Sequence, residues 1–334
     1  MRALARAMRL ALTLALSMAA LSAPGRGAAQ TIATWEVGTD NDAYDFWVPA
    51  YRRPDHDYTH GMWLAATLNR APLWGRHLGG GLPACTGRET AAARCLTTRV
   101  EFGQKLYTPV VDAPDPEPGE RAYAGWLYLS AAGRREDPRT RTTGSVELGV
   151  TGPQSLGRAV HEEFHRAAGF WMPDGWRNQL SFEPAVSLRL GREVLAYEAM
   201  NGAGRVAVIV PDASIAVGNL RTDAQLGVHA RAGRDVPHPW RTSRSGDPSH
   251  MSLYAMAGAR GDWVLHDLLL DGNTFAPSVR VRRRPLVGQL EAGLGLRWKR
   301  VSAEFRSTRR SREYRTQATP HTWSTIALTL DRGR

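Results

Sequence analysis

The feature that most constrains the fold of this chain is a strict alternation of apolar and polar residues. In QLEAGLGLRW (289–298), Leu290, Leu294 and Leu296 fall on one face, and charged residues, glutamine and glycine fall on the other. After two basic residues the alternation resumes over 301–306 with its phase inverted. A period of two is that of a β-strand with one apolar face, so the segment predicts a hairpin.

The same alternation recurs along most of the chain, without the helix–strand alternation of a doubly wound α/β fold. A β-sandwich would place large residues on its apolar face. Here small residues often stand opposite charged ones, as in a membrane barrel with a polar lumen. The sequence therefore predicts an all-β fold, an antiparallel transmembrane β-barrel. Further strands are expected near 31–38, 59–69, 97–107, 122–132, 145–150, 179–190, 205–217, 225–233, 251–258, 263–270 and 323–331.

In such a barrel the two faces of 289–298 tolerate different substitutions. Leu290, Leu294 and Leu296 are expected to face lipid, where arginine is costly. Gly293 and Gly295 are expected to face the lumen or its packed interior and to tolerate serine better.

The first residues have the order of a secretory signal peptide. Arginines precede an apolar stretch over residues 10–21, and small residues follow at 27–29. The apolar stretch is too short to span a bilayer. We expect cleavage after Ala29, which gives a signal peptide over 1–29 and one domain over 30–334.

The charge of the chain suits an exported protein that meets an anionic surface. Removing the four arginines of the leader from the net charge of +11 leaves +7. Lipopolysaccharide or phospholipid headgroups would match this charge, and so would simple solubility. Nucleic acid is a poor match for an exported chain.

Two cysteines, Cys85 and Cys95, stand ten residues apart around a polar loop. In an oxidising compartment such an isolated pair predicts a local disulfide. Zinc binding would require two further ligands nearby.

The segment SLGRAVHEEFHRAAGF contains a literal H-E-x-x-H and predicts a helix over 155–169, which begins after a Gly-Pro pair and ends near Gly169. On a helix, His161 and His165 share one face with Glu162 nearby, the arrangement of zinc metallopeptidases. A zinc peptidase also needs a third ligand on a following element. The segment 166–176 contains no histidine, so the motif alone leaves the zinc reading open but weak.

Several blocks carry most of the chemical information. In chain order they are TDNDAYDF (39–46), DYTHG (57–61), GQKLYTP (103–109) with RAYAGWLY (121–128), GVTGPQSLGRAVHEEFH (149–165) with DGWRNQLSFEP (174–184), and HDLLLDGNTF (266–275). Their order and content resemble those of the lipid A 3′-O-deacylase family of outer-membrane enzymes. The resemblance extends over nearly the whole chain after the leader.

The resemblance implies a barrel of about twelve strands in the outer membrane of a Gram-negative bacterium, with one short catalytic helix at 155–169. It implies an active site between the barrel and the outer leaflet. The implied reaction is Ca²⁺-dependent hydrolysis of the ester that holds the 3′ acyloxyacyl chain of lipid A. We expect a monomer whose substrate is lipid A within lipopolysaccharide.

The resemblance also carries over four site residues, namely Asn41, Asp42, Thr59 and His165, and it places His161 where the family commonly has glutamine. These residue types suit ester hydrolysis. Neutral imidazole can take a proton from water, so His165 is the expected general base. A Ca²⁺ ion on hard oxygen ligands can stabilise an oxyanion. Asp42 is its expected ligand because carboxylate charge favours Ca²⁺, with the run from Asp40 as the wider source of oxygens.

Two other functions remain open from the sequence. One is a zinc metallopeptidase that uses His161, Glu162 and His165. The other is a barrel that has kept the fold without the activity, although the joint presence of the four site residues argues against it.

Some aromatic and basic residues could also face the membrane or the substrate. Tyr123, Trp126 and Tyr128 are candidates for an interfacial girdle, a wall for acyl chains or structural contacts. Lys105 and Arg121 could face lipid A phosphates, as could the arginines at 282–284, or belong to solvated loops.

Overall fold

Thirteen antiparallel strands form one sheet in the part of the chain that the computed structural model describes, residues 32–44, 56–68, 82–85, 93–202, 204–240 and 251–332. The expected signal peptide lies outside the described residues. The strands are β1 (Ile32–Asn41), β2 (Asp57–Leu68), β3 (Cys95–Thr108), β4 (Ala124–Glu136), β5 (Thr140–Thr151), β6 (Glu183–Val194), β7 (Tyr197–Asn201), β8 (Gly204–Gly218), β9 (Arg221–Arg234), β10 (Met251–Asp267), β11 (Leu286–Trp298), β12 (Val301–Arg310) and β13 (His321–Asp331).

Twelve of these strands close into a barrel. The first strand, β1, pairs with the last, β13, and β6 pairs with β8. The short strand β7 pairs only with the beginning of β8, where β8 extends past β6. The expected fold class is confirmed, with β7 as an additional element outside the closed ring.

Among the described residues the helices are short and lie in the connections. They are α1 (Gly157–Ala168) and the single turn α2 (Leu268–Asp271), with 3₁₀ turns at Asp42–Tyr44, Pro153–Ser155 and Gly175–Asn178. No helix in the described ranges is long and apolar enough to cross a membrane. The separate strands expected at 251–258 and 263–270 are one strand, β10, which runs into α2.

Alternation along the strands produces an apolar exterior and a polar lumen. On β11, Leu290, Leu294 and Leu296 are exposed on the outside of the barrel. Their neighbours Gln289 and Glu291 line the interior cavity. An apolar outer face and a polar inner face are what a barrel in a lipid bilayer requires.

The expectation that Gly293 and Gly295 tolerate serine is wrong at both positions, and at Gly293 a Cβ atom would lie 2.2 Å from the backbone oxygen of Phe305. A Cβ atom on Gly295 would lie 2.2 Å from the ring of Tyr254, whose side chain fills the space that the glycine leaves. Gly295 therefore permits the close approach of Tyr254. Serine at this position would force the aromatic ring to move.

The lumen contains a cavity of about 680 Å³ whose walls are rich in charged groups. Arg221 contacts the carboxylates of Asp223 at 2.5 Å and of Asp262 at 3.3 Å. Arg310 contacts Asp262 at 3.0 Å and Glu313 at 2.9 Å. Opposite charges therefore compensate one another across neighbouring strands inside the barrel.

The predicted disulfide is present. Cys85 and Cys95 are bonded, and both are buried. Leu96 exchanges backbone hydrogen bonds with the segment before the bridge, since its carbonyl accepts from the N–H of Cys85 at 2.8 Å and its N–H donates to Pro83 at 2.9 Å. The bridge thus fastens the connection between β2 and β3 to the beginning of β3.

Candidate functional site

Helix α1 packs on the outer wall of the barrel. On β3 the lumen-lining residues Lys105 and Tyr107 alternate with Leu106, which therefore faces outward. Leu106 packs with Trp176, and Val160 of α1 packs against the cluster that these two residues form. The helix and its catalytic candidates thus lie outside the charged lumen.

A glycine on β4 permits this close packing. A Cβ atom on Gly125 would lie 2.1 Å from the hydroxyl oxygen of Ser155 and 3.1 Å from the Cα atom of Gly157. Nearby, the side-chain amide of Gln104 donates to the carbonyl of Ser155 at 2.5 Å. The outer wall therefore fixes the turn from which α1 begins.

The helix expected at 155–169 is present, with a different beginning. Ser155 belongs to the preceding 3₁₀ turn and its hydroxyl donates to the carbonyl of Gly152 at 2.6 Å. Leu156, in a left-handed conformation, occupies the N-cap position. The end is as predicted, because Gly169 is left-handed and its N–H bonds to the carbonyl of Arg166.

Asn41 and Thr59 occupy adjacent strand ends. The side-chain oxygen of Asn41 accepts from the N–H of Ala43 at 2.8 Å, which shapes the turn after β1. Thr59 lies at a β-bulge, since the pairing of β2 with β3 shifts register between Tyr58 and His60. Its hydroxyl shares a 2.6 Å hydrogen bond with that of Thr108. A bulge re-aims one side chain of a strand, here the predicted hydroxyl residue.

The acidic run at the end of β1 divides between the lumen and the turn that follows the strand. Asp42 begins the 3₁₀ turn beside Asn41 and is buried. Asp40 lines the lumen, where its carboxylate accepts from the hydroxyls of Tyr58 at 2.7 Å and Thr325 at 2.6 Å. Asp40 therefore points away from Asn41, because successive residues of a strand point to opposite sides.

His60 joins the two halves of the site and was not among the predicted residues. Its Nδ1 accepts from the side-chain amide of Asn41 at 3.3 Å. Its ring stacks on that of Phe164 in α1, with centroids 5.9 Å apart. Asn41 is thereby connected to the helix that carries His165. The available signal was its place next to Thr59 in the DYTHG block.

His165 is buried and held in a defined orientation. Its Nδ1 lies 2.5 Å from the carbonyl oxygen of Trp171. A carbonyl only accepts, so Nδ1 carries the hydrogen, and in the neutral ring Nε2 is the basic nitrogen. The rings of Phe170 and Trp171 meet the imidazole edge-on at 5.5 and 5.1 Å. A fixed tautomer with a basic Nε2 is what a general base needs.

His161 is held in the opposite tautomer to His165 by a different contact. The indole N–H of Trp176 donates to its Nδ1 at 2.9 Å, so the hydrogen of the neutral ring lies on Nε2. Burial, together with the nearby imidazoles of His165 and His60, lowers the pKa of His161 to about 3. At neutral pH His161 is therefore an uncharged N–H donor.

These contacts oppose a zinc site at the H-E-x-x-H motif. The Nδ1 lone pair of His161 is occupied by Trp176, and its Nε2 carries a hydrogen. Glu162 pairs with Arg158 at 2.6 Å on the exposed side of α1. Within the described ranges the one cluster of three potential ligands is Cys85, Cys95 and Glu136, and its two cysteines form the disulfide.

The donor set around the turn after β1 instead consists of oxygen atoms. It comprises the carboxylate of Asp42, the amide oxygen of Asn41 and the hydroxyl of Thr59. Oxygen donors of this kind fit a hard cation such as Ca²⁺ better than zinc. Asp42 supplies the one carboxylate among them and is buried next to the strand end.

Four of the aromatic and basic candidates lie inside the barrel. Trp126 and Tyr128 are buried and donate to Glu147 at 2.9 Å and Glu101 at 2.8 Å. The interpretation of these aromatics as a membrane girdle is therefore wrong. Lys105 and Arg121 also line the lumen, and so do not face lipid on the outside. Tyr123 donates to Asp112 and packs under α1.

Comparisons with known proteins identify the relatives of this fold. The family model described as outer membrane protein LpxR matches residues 10–331. The solved structure of LpxR from Salmonella typhimurium superposes with a TM-score of 0.72 at 16% identity, over 89% of this chain and 99% of that one. The β-domain of the Bordetella autotransporter BrkA gives 0.46 at 9% identity, over 90% and 99% of the two chains. No curated protein matches.

Proposed function

Because this chain belongs to the LpxR family of outer-membrane proteins, we propose that it is a hydrolase that removes the 3′-linked acyloxyacyl chain of lipid A. The protein is a twelve-stranded barrel of the Gram-negative outer membrane. The proposed substrate is a lipid of that membrane, and the proposed enzyme works as a monomer.

The observation that carries the proposal is the orientation of His165. Its Nδ1 hydrogen is bound by the Trp171 carbonyl, which leaves Nε2 as the basic nitrogen. The ring lies in a helix on the outer wall, connected through Phe164 and His60 to Asn41. A buried base on the lipid-facing side of a barrel suits a substrate that resides in the membrane.

The reaction can be written with the residues of this chain. His165 Nε2 takes a proton from water as the oxygen attacks the ester carbonyl. The bond between the acyl carbon and the sugar oxygen then breaks, and the proton of His165 passes to that oxygen. The products are a free fatty acid and a sugar hydroxyl. The neutral N–H of His161 can donate to an oxygen of the substrate or intermediate, as an amide would.

We also propose that the enzyme uses Ca²⁺, with Asp42 as a ligand and Asn41 and Thr59 as orienting groups. The ion would supply Lewis-acid stabilisation of negative charge on the ester oxygen. The oxygen donors at the turn after β1 support this choice over zinc.

The position of the site along the barrel also suits the outer leaflet. The end of the barrel that carries the site has long connections, at 42–56, 109–123, 152–182 and 268–285. The opposite end has the short turns at 137–139 and 299–300 together with longer connections at 69–94 and 235–250, and the site end also has the short turn at 219–220. Outer-membrane barrels have long extracellular loops and short periplasmic turns, and the greater total length of the connections at the site end favours the extracellular side, where lipid A resides.

Mass spectrometry of lipid A is the direct test. We expect cells that express the protein to contain lipid A without the 3′ acyloxyacyl chain, and cells with His165→Ala to keep it.

A chelator should remove the activity of the purified protein, and Ca²⁺ should restore it better than Zn²⁺. Unchanged lipid A in cells with a correctly inserted barrel would refute the proposal. Restoration by zinc with calcium inert would refute the Ca²⁺ assignment.

A further inference from the structure

The segment after α1 exposes three consecutive large apolar side chains. We call Phe170–Met172 the apolar strap. Phe170, Trp171 and Met172 are 45%, 50% and 45% exposed. Three adjacent side chains of this size in contact with water are unfavourable, and a patch of this kind on a protein surface usually marks a binding surface.

The strap is held firmly at both ends. At its start, the N–H of Phe170 bonds to the carbonyl of His165 at 2.9 Å. Beyond its end, the N–H groups of Asp174 and Gly175 donate to the carboxylate of Asp112 at 3.0 and 3.2 Å. The exposed strap is therefore a fixed segment between two anchor points.

The surroundings of the strap indicate what covers it. Helix α1 and Trp176 pack on the outer wall formed by β3 and β4, and the strap lies in the segment that connects them. On the same wall, further from this end, Phe102, Leu129 and Leu148 are exposed on the lipid-facing side of β3, β4 and β5. The strap thus continues the lipid-facing surface towards the interface, where tryptophan is favoured.

We propose that the apolar strap inserts into the acyl chains of the surrounding outer leaflet and that this contact positions His165. The residue whose indole meets the lipid, Trp171, is the residue whose carbonyl binds His165 Nδ1. Contact with the leaflet holds that carbonyl in place, and the carbonyl holds the tautomer of the base. The second half of this proposal rests on the proposed hydrolase activity, whereas the first half does not.

The leaflet contact can be tested without any activity measurement. The full-length protein with Met172→Cys is spin-labelled and inserted into phosphatidylcholine vesicles, and Glu163→Cys on the exposed side of α1 is the matched control. We expect the label at 172 to collide severalfold more often with oxygen, relative to a water-soluble nickel chelate, than the label at 163. Equal ratios at both positions would overturn the proposal.

The positioning half is tested by kinetics on lipid A in vesicles. In a variant with serine at 170, 171 and 172, we expect kcat/KM to fall at least about tenfold, since each large apolar side chain removed from lipid contributes on that order. Most of the loss should be in kcat, because the base loses its fixed orientation. Phe275→Ser, at an exposed apolar residue of another loop, is the control and should change little.

The outcomes separate the two proposals. If the wild-type protein hydrolyses no lipid A, the proposed function fails and the spin-label ratio still decides the leaflet contact. If the labels show insertion but the serine variant keeps full kcat, the positioning role is refuted. Faster migration of the unboiled variant on gels confirms that its barrel is folded.

Discussion

The outer wall and the lumen of this barrel use polar side chains in opposite ways. In the lumen, Arg221, Asp262 and Arg310 form part of a dense network of compensating charges. At the outer-wall site, His161 and His165 are bound by an indole N–H and a backbone carbonyl, without a charged partner in the contacts that fix their tautomers. The cavity of about 680 Å³ and the network of ion pairs therefore lie in the lumen, away from the outer-wall site. The outer-wall site is distinguished instead by two histidines held in fixed tautomers.

The largest expected effect comes from the base itself. His165→Ala should lower deacylation by about two to four orders of magnitude, the usual contribution of a general base. The barrel should still insert and remain heat-modifiable on gels, because α1 lies outside the closed ring. Mass spectrometry of lipid A and a rate measurement in mixed micelles would check this. An inactive variant that also fails to insert would leave no distinction between the two regions.

Breaking the network of ion pairs in the lumen should lower stability without lowering the activity of the folded protein. Asp262→Ala leaves Arg221 and Arg310 buried with less compensation, so we expect unfolding free energy to fall by about 3–5 kcal/mol. The folded fraction should keep its activity. Asp115→Ala is the matched control, since its pair with Arg177 is exposed, and such pairs contribute about 0–1 kcal/mol. Urea unfolding in lipid vesicles would measure both. Equal small effects would show that the lumen charges are not structurally important.

A charge placed on the lipid-facing surface tests whether the leucines of β11 face the membrane. Leu294→Arg should cost about 2–4 kcal/mol near the bilayer midplane and hinder insertion. Leu286→Arg, at the first residue of β11, should cost about 0–1 kcal/mol because the penalty for a charge on the lipid-facing side falls toward the interface. Fractionation and detergent extraction report the insertion. A protein recovered from the periplasm without detergent would contradict the outward orientation of these leucines.

The disulfide tests a part of the molecule that belongs to neither region. Changing Cys85 and Cys95 to serine should lower the unfolding free energy by roughly 2–3 kcal/mol in the chain-entropy model. Activity should be unchanged, because the bridge fastens the connection before β3 at the other end of that strand from Thr108. Thiol titration of the unfolded, unreduced wild-type protein should detect no free thiol. Two reactive thiols per chain would contradict the bridge.

The smallest expected effect concerns His161. His161→Gln should keep most of the activity, because an amide N–H can replace the imidazole donor. Burial lowers the pKa of this histidine to about 3 in the folded protein, below its ordinary value near 6.5. The unfolded state thus binds more protons, and stability decreases as the pH falls from about 6.5 towards 3. The glutamine variant should show a weaker decrease in thermal-melting curves. A loss of activity equal to that of His165→Ala would revive the paired-histidine metal site.

The sequence indicated the four predicted site residues but not the contacts that surround them. The blocks located Asn41, Asp42, Thr59 and His165 because each stands in a recognisable local context. The same blocks contain His60 and Trp176 without any sign of their contacts. Asn41 meets His60 across β1 and β2, and Trp176 meets His161 across a turn. Such contacts depend on strand register and loop path, which local sequence does not encode.

Alternation by itself determined the strands and the two faces of this barrel, because a period of two assigns each residue to lipid or lumen. It could not determine the register at the Thr59 bulge, the close approach of Tyr254 to Gly295, or the burial of Asp42 in the turn after β1. Nor could the H-E-x-x-H spacing show which nitrogen of each imidazole carries the hydrogen. Closure of the sheet decided these points, since it brings strands distant in the sequence into contact and supplies the Trp171 carbonyl and Trp176 indole as partners.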